Sequence, residues 1–418
     1  MKIVGIIAEY NPFHNGHQYQ IEQAKKITNA DYVIVVMSGN FVQRGTPAIL
    51  HKYARTEMAL SHGADVVFEL PVCYATASAE YFAFGAVTLL DQLGAIDYLC
   101  FGSECGDTAS LTQIADFLLE EPAEYQNALK LYQKEGLTFP EARTKAVCKH
   151  LQKEQENADN IKNILSSPNN ILGIEYIKAI KRCGSKMIPI TIKREGAGYH
   201  SDDIAESFAS ATAIRKQLNQ QEVNLSSVLS KLPLSTNRLL TKHYDKTSPI
   251  TEDDFSSLLY YQLVQQSQDL TKYFDVSTDL ANRIQNLISP SLSFTSFAET
   301  LKTKQITQTR INRALLHILL GITTPCMQEN VKDHITYARI LGFVTNSSEV
   351  LRKLKEVSSL PIITKVADAK HQLSPRAYDM LYQEINATHL YHQIIYSKFK
   401  TTMNSEFTMG PIRVTKEF

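Results

Sequence analysis

Residues 1–20, MKIVGIIAEYNPFHNGHQYQ, decide how the rest of the chain is read. An apolar run from Ile3 to Ala8 meets a turn containing Pro12, and His14-Asn15-Gly16-His17 then opens a helix. A strand that feeds a helix N-terminus makes a ready anion site, because the first amides of the helix lack internal partners and the helix dipole is positive there. Two histidines three residues apart on a first turn face the same way, so both imidazoles can reach one phosphate and offset charge as it develops. Gly16 between them has no side chain, which lets a flat ring lie against the backbone.

Downstream, strand and helix patterns alternate through residue 220. The run DYVIVVMSG at 31–39 is continuously apolar, as expected of a parallel strand buried on both faces. ADVVFELP (64–71) is a third strand ended by proline, IDYLCFGS (96–103) a fourth and KMIPITIK (186–193) a fifth. Helical stretches separate them, at about 16–28, 51–63, 79–94 and 171–182. Such alternation predicts an α/β fold with a parallel sheet covered by helices, whose ligand sits beyond the carboxyl ends of the strands. The segment from about 108 to 165 is polar, helix-rich and without a strand-like run, and reads as a helical insertion. After the fifth strand comes a glycine-rich loop carrying a cation, REGAGYHS (194–201), and then SATAIR (210–215). Ser210 or Thr212 can cap a helix there, with Arg215 about one turn in, giving a second helix N-terminus able to hold phosphates.

These two stretches resemble the signatures of the nucleotidyltransferase superfamily, H-x-G-H after the first strand and a serine/threonine-rich S-S-T-x-I-R motif after the last, with Ala211 in place of the second serine. The resemblance implies that His14 and His17 contact ATP phosphates, that Gly16 lies beneath the adenine, and that Ser210, Thr212 and Arg215 hold the departing pyrophosphate. In more detail, GIIAEYNPFHNGH, SGNFVQRGTPAI, ADVVFELP, FGSE, SPNNILGIEYIKAI and IKREGAGYH are similar to blocks of the bacterial tRNA(Met) cytidine acetate ligase family. That likeness implies a Rossmann-like, five-stranded parallel nucleotidyltransferase core over 1–220, followed by a mainly α-helical C-terminal domain over 221–418. It implies an enzyme that uses ATP with Mg²⁺ to turn acetate into acetyl-adenylate and passes the acetyl group to the wobble cytidine of elongator tRNA(Met).

Carried onto this chain, the ATP contacts are Ile7, Ala8, Glu9, Tyr10, Asn11, Pro12, Phe13, His14, Asn15, Gly16, His17, Gln18, Tyr19 and Gln20. To these the resemblance adds Gly102, one of Asn169 and Asn170, and Arg194. His14, His17 and Arg194 are expected to supply the catalytic charges. Neither a G-x-S-x-G elbow nor a P-loop occurs, and adenylation requires neither, since attack on an α-phosphate needs alignment and charge stabilisation.

Composition narrows the partners. The chain has 43 Lys+Arg and 43 Asp+Glu, so no bulk charge favours nucleic acid. Its six cysteines are scattered without zinc spacing and read as reduced cytosolic thiols, with no metal site expected. No apolar run approaches the roughly 20 residues of a membrane span, and Met1 leads straight into a strand, so a soluble cytoplasmic protein without a signal peptide is expected. Nothing points to a protein partner. From Leu301 to Gln328 the sequence carries Lys302, Lys304, Arg310 and Arg313 with no acid, a density that can follow an RNA backbone or form a solvated helix face. Gln43 and Arg44, in a loop on the crevice side, are further candidates for tRNA. Some residues admit two readings: Glu9 can orient a histidine or be a buried strand-end carboxylate, Glu104 can be a base or a helix cap, and the pair His389 and His392 can be metal ligands or core. The alternatives in function are an adenylyltransferase with a small-molecule acceptor, and an RNA-binding protein with a degenerate nucleotide site. The nearly 200 residues after the core speak against the first, and the intact His14, Gly16, His17 and Arg215 against the second.

Overall fold

A computed structural model of the 418-residue chain describes residues 1–151, 155–194, 210–219 and 225–415. The glycine-rich stretch 195–201 noted above lies outside the described residues. The strands, in chain order, are β1 (Ile3–Ala8), β2 (Tyr32–Ser38), β3 (Phe41–Val42), β4 (Thr46–Pro47), β5 (Val66–Leu70), β6 (Tyr98–Ser103), β7 (Ile188–Lys193), β8 (Ala338–Val344), β9 (Ile362–Ile363) and β10 (Ile412–Val414).

All five expected strands form, and they lie side by side in the order β5-β2-β1-β6-β7, every neighbouring pair parallel. Chain order reverses at β1, so the carboxyl ends of β1 and β6 part around a crevice, where open α/β sheets take their ligands. In β1, β2 and β5 side chains alternate between two buried faces, which is why these strands are almost continuously apolar, whereas β7, at the edge, is half-exposed. Ile3, Ile7, Ile34, Val36, Val66 and Phe68 pack on one side with helices Ala79–Gln92 and Pro168–Arg182. Val4, Ile6, Val33, Val35, Met37 and Cys100 pack on the other with helices Asn15–Thr28 and Lys52–Ser61. The insertion is the helices Thr108–Glu120, Ala123–Lys134, Phe139–Leu151 and Gln155–Ser166.

The sheet does not stop at five strands. β8 pairs antiparallel with β5, and β9 and β10 pair parallel with β8, so the main sheet has eight strands and draws three from the mainly helical second half. An unpaired β5 would present a row of bare amides and carbonyls, and β8 covers them. The six cysteines are free, and among the described residues no helix is long and apolar enough to cross a membrane.

A buried ionic network holds the two halves together. Lys52 Nζ lies 2.7 Å from Glu69, 3.0 Å from Glu406 and 3.7 Å from Glu384, while Arg339 reaches Glu69 at 2.8 Å and Glu406 at 2.6 Å. Burial and the neighbouring Glu69 push the Glu384 carboxyl well above its ordinary range, so it is carried neutral. Lys52 and Arg339 are thus opposed by Glu69 and Glu406. Gly39 is required beside them, because a Cβ there would come within 2.6 Å of Glu384 Oε1 and 2.7 Å of Glu69 Oε1. Removing one member of a buried ionic set leaves charge uncompensated and costs about 3–5 kcal/mol. We therefore expect Lys52→Met to lower the unfolding free energy measured in urea by that amount, with probes in both halves reporting one transition. A loss under about 1 kcal/mol would mean that the network contributes little.

Candidate active site

The first turn of helix Asn15–Thr28 is closed by its own histidines. His14 is the N-cap, in extended conformation, and its Nδ1 accepts from the Gly16 amide at 3.1 Å; His17 Nδ1 accepts from the His14 amide at 3.2 Å. This is a reciprocal capping box with imidazoles in the roles usually held by a hydroxyl and a carboxylate. The two rings stack with centroids 3.7 Å apart, and the buried rings of Tyr10 and Phe13 pack against His17. With each Nδ1 accepting a backbone N–H, a neutral ring carries its proton on Nε2. Desolvation, helped by Arg194 and Arg215, lowers His14 to about 3, and desolvation, with His14 and Arg194, puts His17 well below its usual value. The imidazoles are therefore neutral N–H donors in the free enzyme. The expectation that they bring charge is corrected on this point: the cations of the site are arginines.

Arg194, at the end of β7, lies over Gly102, where a Cβ would meet Arg194 Cγ at 3.1 Å. Ser210 caps helix Ala211–Leu218 by accepting from the Ala213 amide at 3.2 Å. Arg215 donates to the Asn11 carbonyl at 2.7 Å and to Thr212 Oγ1 at 3.2 Å, tying this second helix start to the loop after β1. Both helix N-termini border one cavity of about 900 Å³.

Of the residues expected from sequence, Ile7, Ala8, Glu9, Tyr10, Asn11, His14, His17, Gln20, Gly102, Asn169, Arg194, Ser210, Thr212 and Arg215 line this cavity, as do Gln43, Arg44 and Arg313. Pro12, Phe13, Asn15, Gly16, Gln18 and Tyr19 are not among its walls: Phe13 is core, and Gln18 donates to Glu22. Asn169 and Asn170 part company. Asn169 borders the cavity, whereas Asn170 is buried with its Oδ1 accepting from the Cys105 amide at 3.1 Å. Glu104 is a cap, its carboxylate accepting from the Asn169 and Asn170 amides at 3.3 and 2.9 Å. Glu9 accepts from the Gln43 amide at 2.8 Å, the backbone-satisfied reading of that residue. The basic quartet also divides: Lys302, Lys304 and Arg310 are exposed, while Arg313 turns to the cavity and pairs with Asp275 at 3.1 Å. Among the described residues no group of three or more His, Cys, Asp or Glu could hold a metal ion.

Two features escaped the sequence reading. Arg55, fully buried, donates to the carbonyls of Leu50 at 2.9 Å, Glu9 at 2.5 Å and Ser38 at 3.1 Å, and to that of Gly39. In sequence it is one more polar residue of a short helix. Arg143, Glu175 and Lys178 form an ionic cluster on the cavity wall, with Glu175 2.8 Å from Arg143 and 2.7 Å from Lys178. An i,i+3 pair on a helix ordinarily reads as a solvated face.

With this geometry, the comparisons fall into place. The chain belongs to the HIGH Nucleotidyl Transferase family, which it matches over residues 1–406. Within it, the chain is 44% identical over 392 residues to the tRNA(Met) cytidine acetate ligase of Thermoanaerobacter sp. (strain X514), covering 94% of this chain and 95% of that protein. It is 41% identical over 417 residues to the protein of the same name from Acetivibrio thermocellus, covering 99% and 100%. The crystal structure of Thermotoga maritima TmcAL bound with alpha-thio ATP superposes with a TM-score of 0.91 at 32% identity over 100% of both chains, and the apo form with 0.92.

His14→Asn separates structure from chemistry, because asparagine caps a helix well but cannot offer the imidazole N–H. We expect nearly unchanged stability at pH 8 and a fall in adenylate formation of roughly a hundredfold; near-normal adenylation would remove His14 from the site. The pH dependence follows. An unfolded imidazole binds a proton near 6.5, but His14 in the fold not until about 3. Between those values the unfolded chain holds more protons, so stability falls as pH drops from about 6.5 toward 3, with a shallower slope in the variant.

Proposed function

We propose that this chain is an ATP-dependent ligase that activates acetate as acetyl-adenylate and transfers the acetyl group to the exocyclic amine of the wobble cytidine of elongator tRNA(Met), giving N4-acetylcytidine. The observation that carries this reading is the pair of helix N-termini, His14/His17 and Ser210/Thr212/Arg215, bordering one cavity at the carboxyl ends of β1 and β7. The substrates are suggested by the relatives named tRNA(Met) cytidine acetate ligase and by the ATP analogue bound in the Thermotoga maritima structure.

In the first half-reaction a carboxylate oxygen of acetate attacks the α-phosphorus. The bond to the β-phosphate bridging oxygen breaks, and pyrophosphate leaves with the electron pair. His14 and His17 donate Nε2–H to the phosphate oxygens, while Arg194 and Arg215 supply fixed positive charge. Asn169, Ser210 and Thr212 orient the triphosphate. The triphosphate's charge would be screened by Mg²⁺ carried on the nucleotide. In the second half-reaction the cytidine N4 lone pair forms a bond to the acetyl carbon. AMP departs with the electrons of the C–O bond, and N4 gives up one proton.

On this reading residues 1–220 form the ATP core and 221–418 present the tRNA, in the cytoplasm. Lys302, Lys304 and Arg310 are exposed around the start of helix Gln308–Leu320, whose Thr309 and Arg313 border the cavity. Positive charge beside a helix that borders the cavity supports this reading, since an RNA backbone can follow it. Neutralising the three should weaken tRNA binding and lower its log-log salt slope by roughly 0.7–0.9 per lost phosphate contact, leaving adenylation intact. An unchanged slope would make them a solvated face.

The proposed activity is tested by exchange of labelled pyrophosphate into ATP. Exchange that requires acetate and proceeds without tRNA is expected, whereas exchange that requires a phosphorylated metabolite instead would favour a small-molecule acceptor.

A further inference from the structure

The start of helix Pro168–Arg182 also borders the cavity, and its backbone donors are all accounted for. Pro168 has no N–H, and Ser167, at the N-cap, makes no side-chain bond. Glu104, from the loop after β6, takes the capping role: the Asn169 amide donates to its Oε1 at 3.3 Å and the Asn170 amide to its Oε2 at 2.9 Å. The Ile171 amide donates to the Ser167 carbonyl at 3.0 Å. No amide is left there for a phosphate, and a carboxylate already occupies the positive end of the dipole. This helix start is therefore not a phosphate site.

Glu104 does more than close the helix. Its Oε1 also accepts from Asn169 Nδ2 at 2.6 Å, so three N–H groups converge on a carboxylate that accepts and does not donate. The nitrogen of the Asn169 side chain is thereby fixed on Glu104, which removes the ambiguity between the two ends of an amide. Asn169 lines the cavity, whereas Glu104 is not among its walls. Among the described residues none donates to Asn169 Oδ1. The loop that carries Glu104 is fastened to the same helical turn a second time, because the Cys105 amide donates to Asn170 Oδ1 at 3.1 Å.

We infer that Glu104 is a positioning residue that commits the Asn169 carbonyl oxygen to the cavity, as an acceptor for a hydrogen-bond donor on the nucleoside of ATP. The inference rests on the proposed function and deepens it at one wall of the same cavity. Acetate and the triphosphate present only acceptors, so during adenylation the available donors are the ribose hydroxyls and the adenine amine. Asn169 thus orients the triphosphate from its nucleoside end. The Arg194 amide donates at 2.8 Å to the carbonyl of Ser103, the residue before Glu104, so the acceptor and a phosphate-binding cation are carried by neighbouring strand ends. A nucleotide, with anionic groups and donors in one molecule, matches that pair.

Glu104→Gln keeps the shape of the cap but reverses one bond. The Asn170 backbone amide cannot turn, so the glutamine oxygen stays with it and the glutamine nitrogen faces Asn169, whose amide then turns its N–H groups to the cavity. Combining Glu104→Gln with Asn169→Asp lets that nitrogen donate to the new carboxylate and leaves an oxygen facing the ligand. The test measures acetate-dependent pyrophosphate exchange without tRNA in full-length wild type, Glu104→Gln, the double variant and Asn169→Ala. Each is supplied with ATP, 2′-deoxy-ATP, 3′-deoxy-ATP and purine riboside triphosphate, which lacks the adenine amine. In wild type the KM should rise roughly tenfold for at least one analogue, the one missing the donor. Glu104→Gln should bring the KM for ATP to about that of the analogue and erase the ranking, and the double variant should restore it; a purely structural cap would lower stability and leave the ranking alone. Wild type that uses all four alike would overturn the inference, as would Glu104→Gln that ranks them as wild type does. A defect confined to the KM for tRNA in acetyl transfer would also overturn it, since the donor would then lie on the RNA. If Glu104→Gln alone does not fold, a lost ranking in the double variant or an unchanged one in Asn169→Ala would overturn it. Absence of acetate-dependent exchange in the wild type itself would count against the proposed function, a separate outcome.

Discussion

The crevice depends on one buried cation. At the carboxyl ends of β1 and β2 the chain must leave the sheet, and the carbonyls of Glu9, Ser38 and Gly39 then have no strand neighbour to satisfy them. Arg55 gathers all three, together with that of Leu50, from the first turn of helix Lys52–Ser61. A buried carbonyl left unpaired is costly, so without this guanidinium the loops after both strands would have to rearrange toward water. Lys52, one turn earlier on the same helix, does the corresponding work at β5, drawing in Glu69, Glu384 and Glu406. The first turn of a single helix therefore both fixes the floor of the site and fastens the second half of the chain.

Given that floor, the chemistry of the walls follows from how their donors are held. His14 and His17 cap their own helix through Nδ1, which commits Nε2–H to the cavity without spending a charge. Positive charge is left to Arg194 and Arg215, which the fold supplies from β7 and from the second helix start. Neutral donors that are already oriented need no reorganisation when a polyphosphate arrives, and guanidinium groups match phosphate geometry. Arg215, bonded to the Asn11 carbonyl, also makes the two helix ends one unit.

Much of this was legible in the sequence, for identifiable reasons. β1, β2 and β5 are buried on both faces and so announce themselves as nearly unbroken apolar runs, β6 and the half-exposed β7 keep enough apolar residues to read as strands, and the two phosphate-type helix starts carry their own capping residues. β8 is not legible as a strand of the core sheet, because its pairing with β5 spans some 270 residues, as the Arg339–Glu69 contact illustrates. Its companions β9 and β10 are two and three residues long, too short for any period to register. Arg55, Lys52 and the Arg143–Glu175–Lys178 cluster were illegible for one shared reason: a charged residue on a helix reads as solvent-facing until a partner from a distant segment is brought to it. The division within the basic run 301–328 was illegible for the same reason, since Arg313 finds Asp275 outside the run.

The central claim is that the site directs acetate to the α-phosphorus of ATP. Acetate labelled with ¹⁸O in both oxygens tests it directly during a full turnover on tRNA. Attack at the α-phosphorus predicts that one labelled oxygen remains in the acetyl group on the RNA and the other appears in the phosphate of AMP. Label in inorganic phosphate, or AMP free of label, would contradict the account.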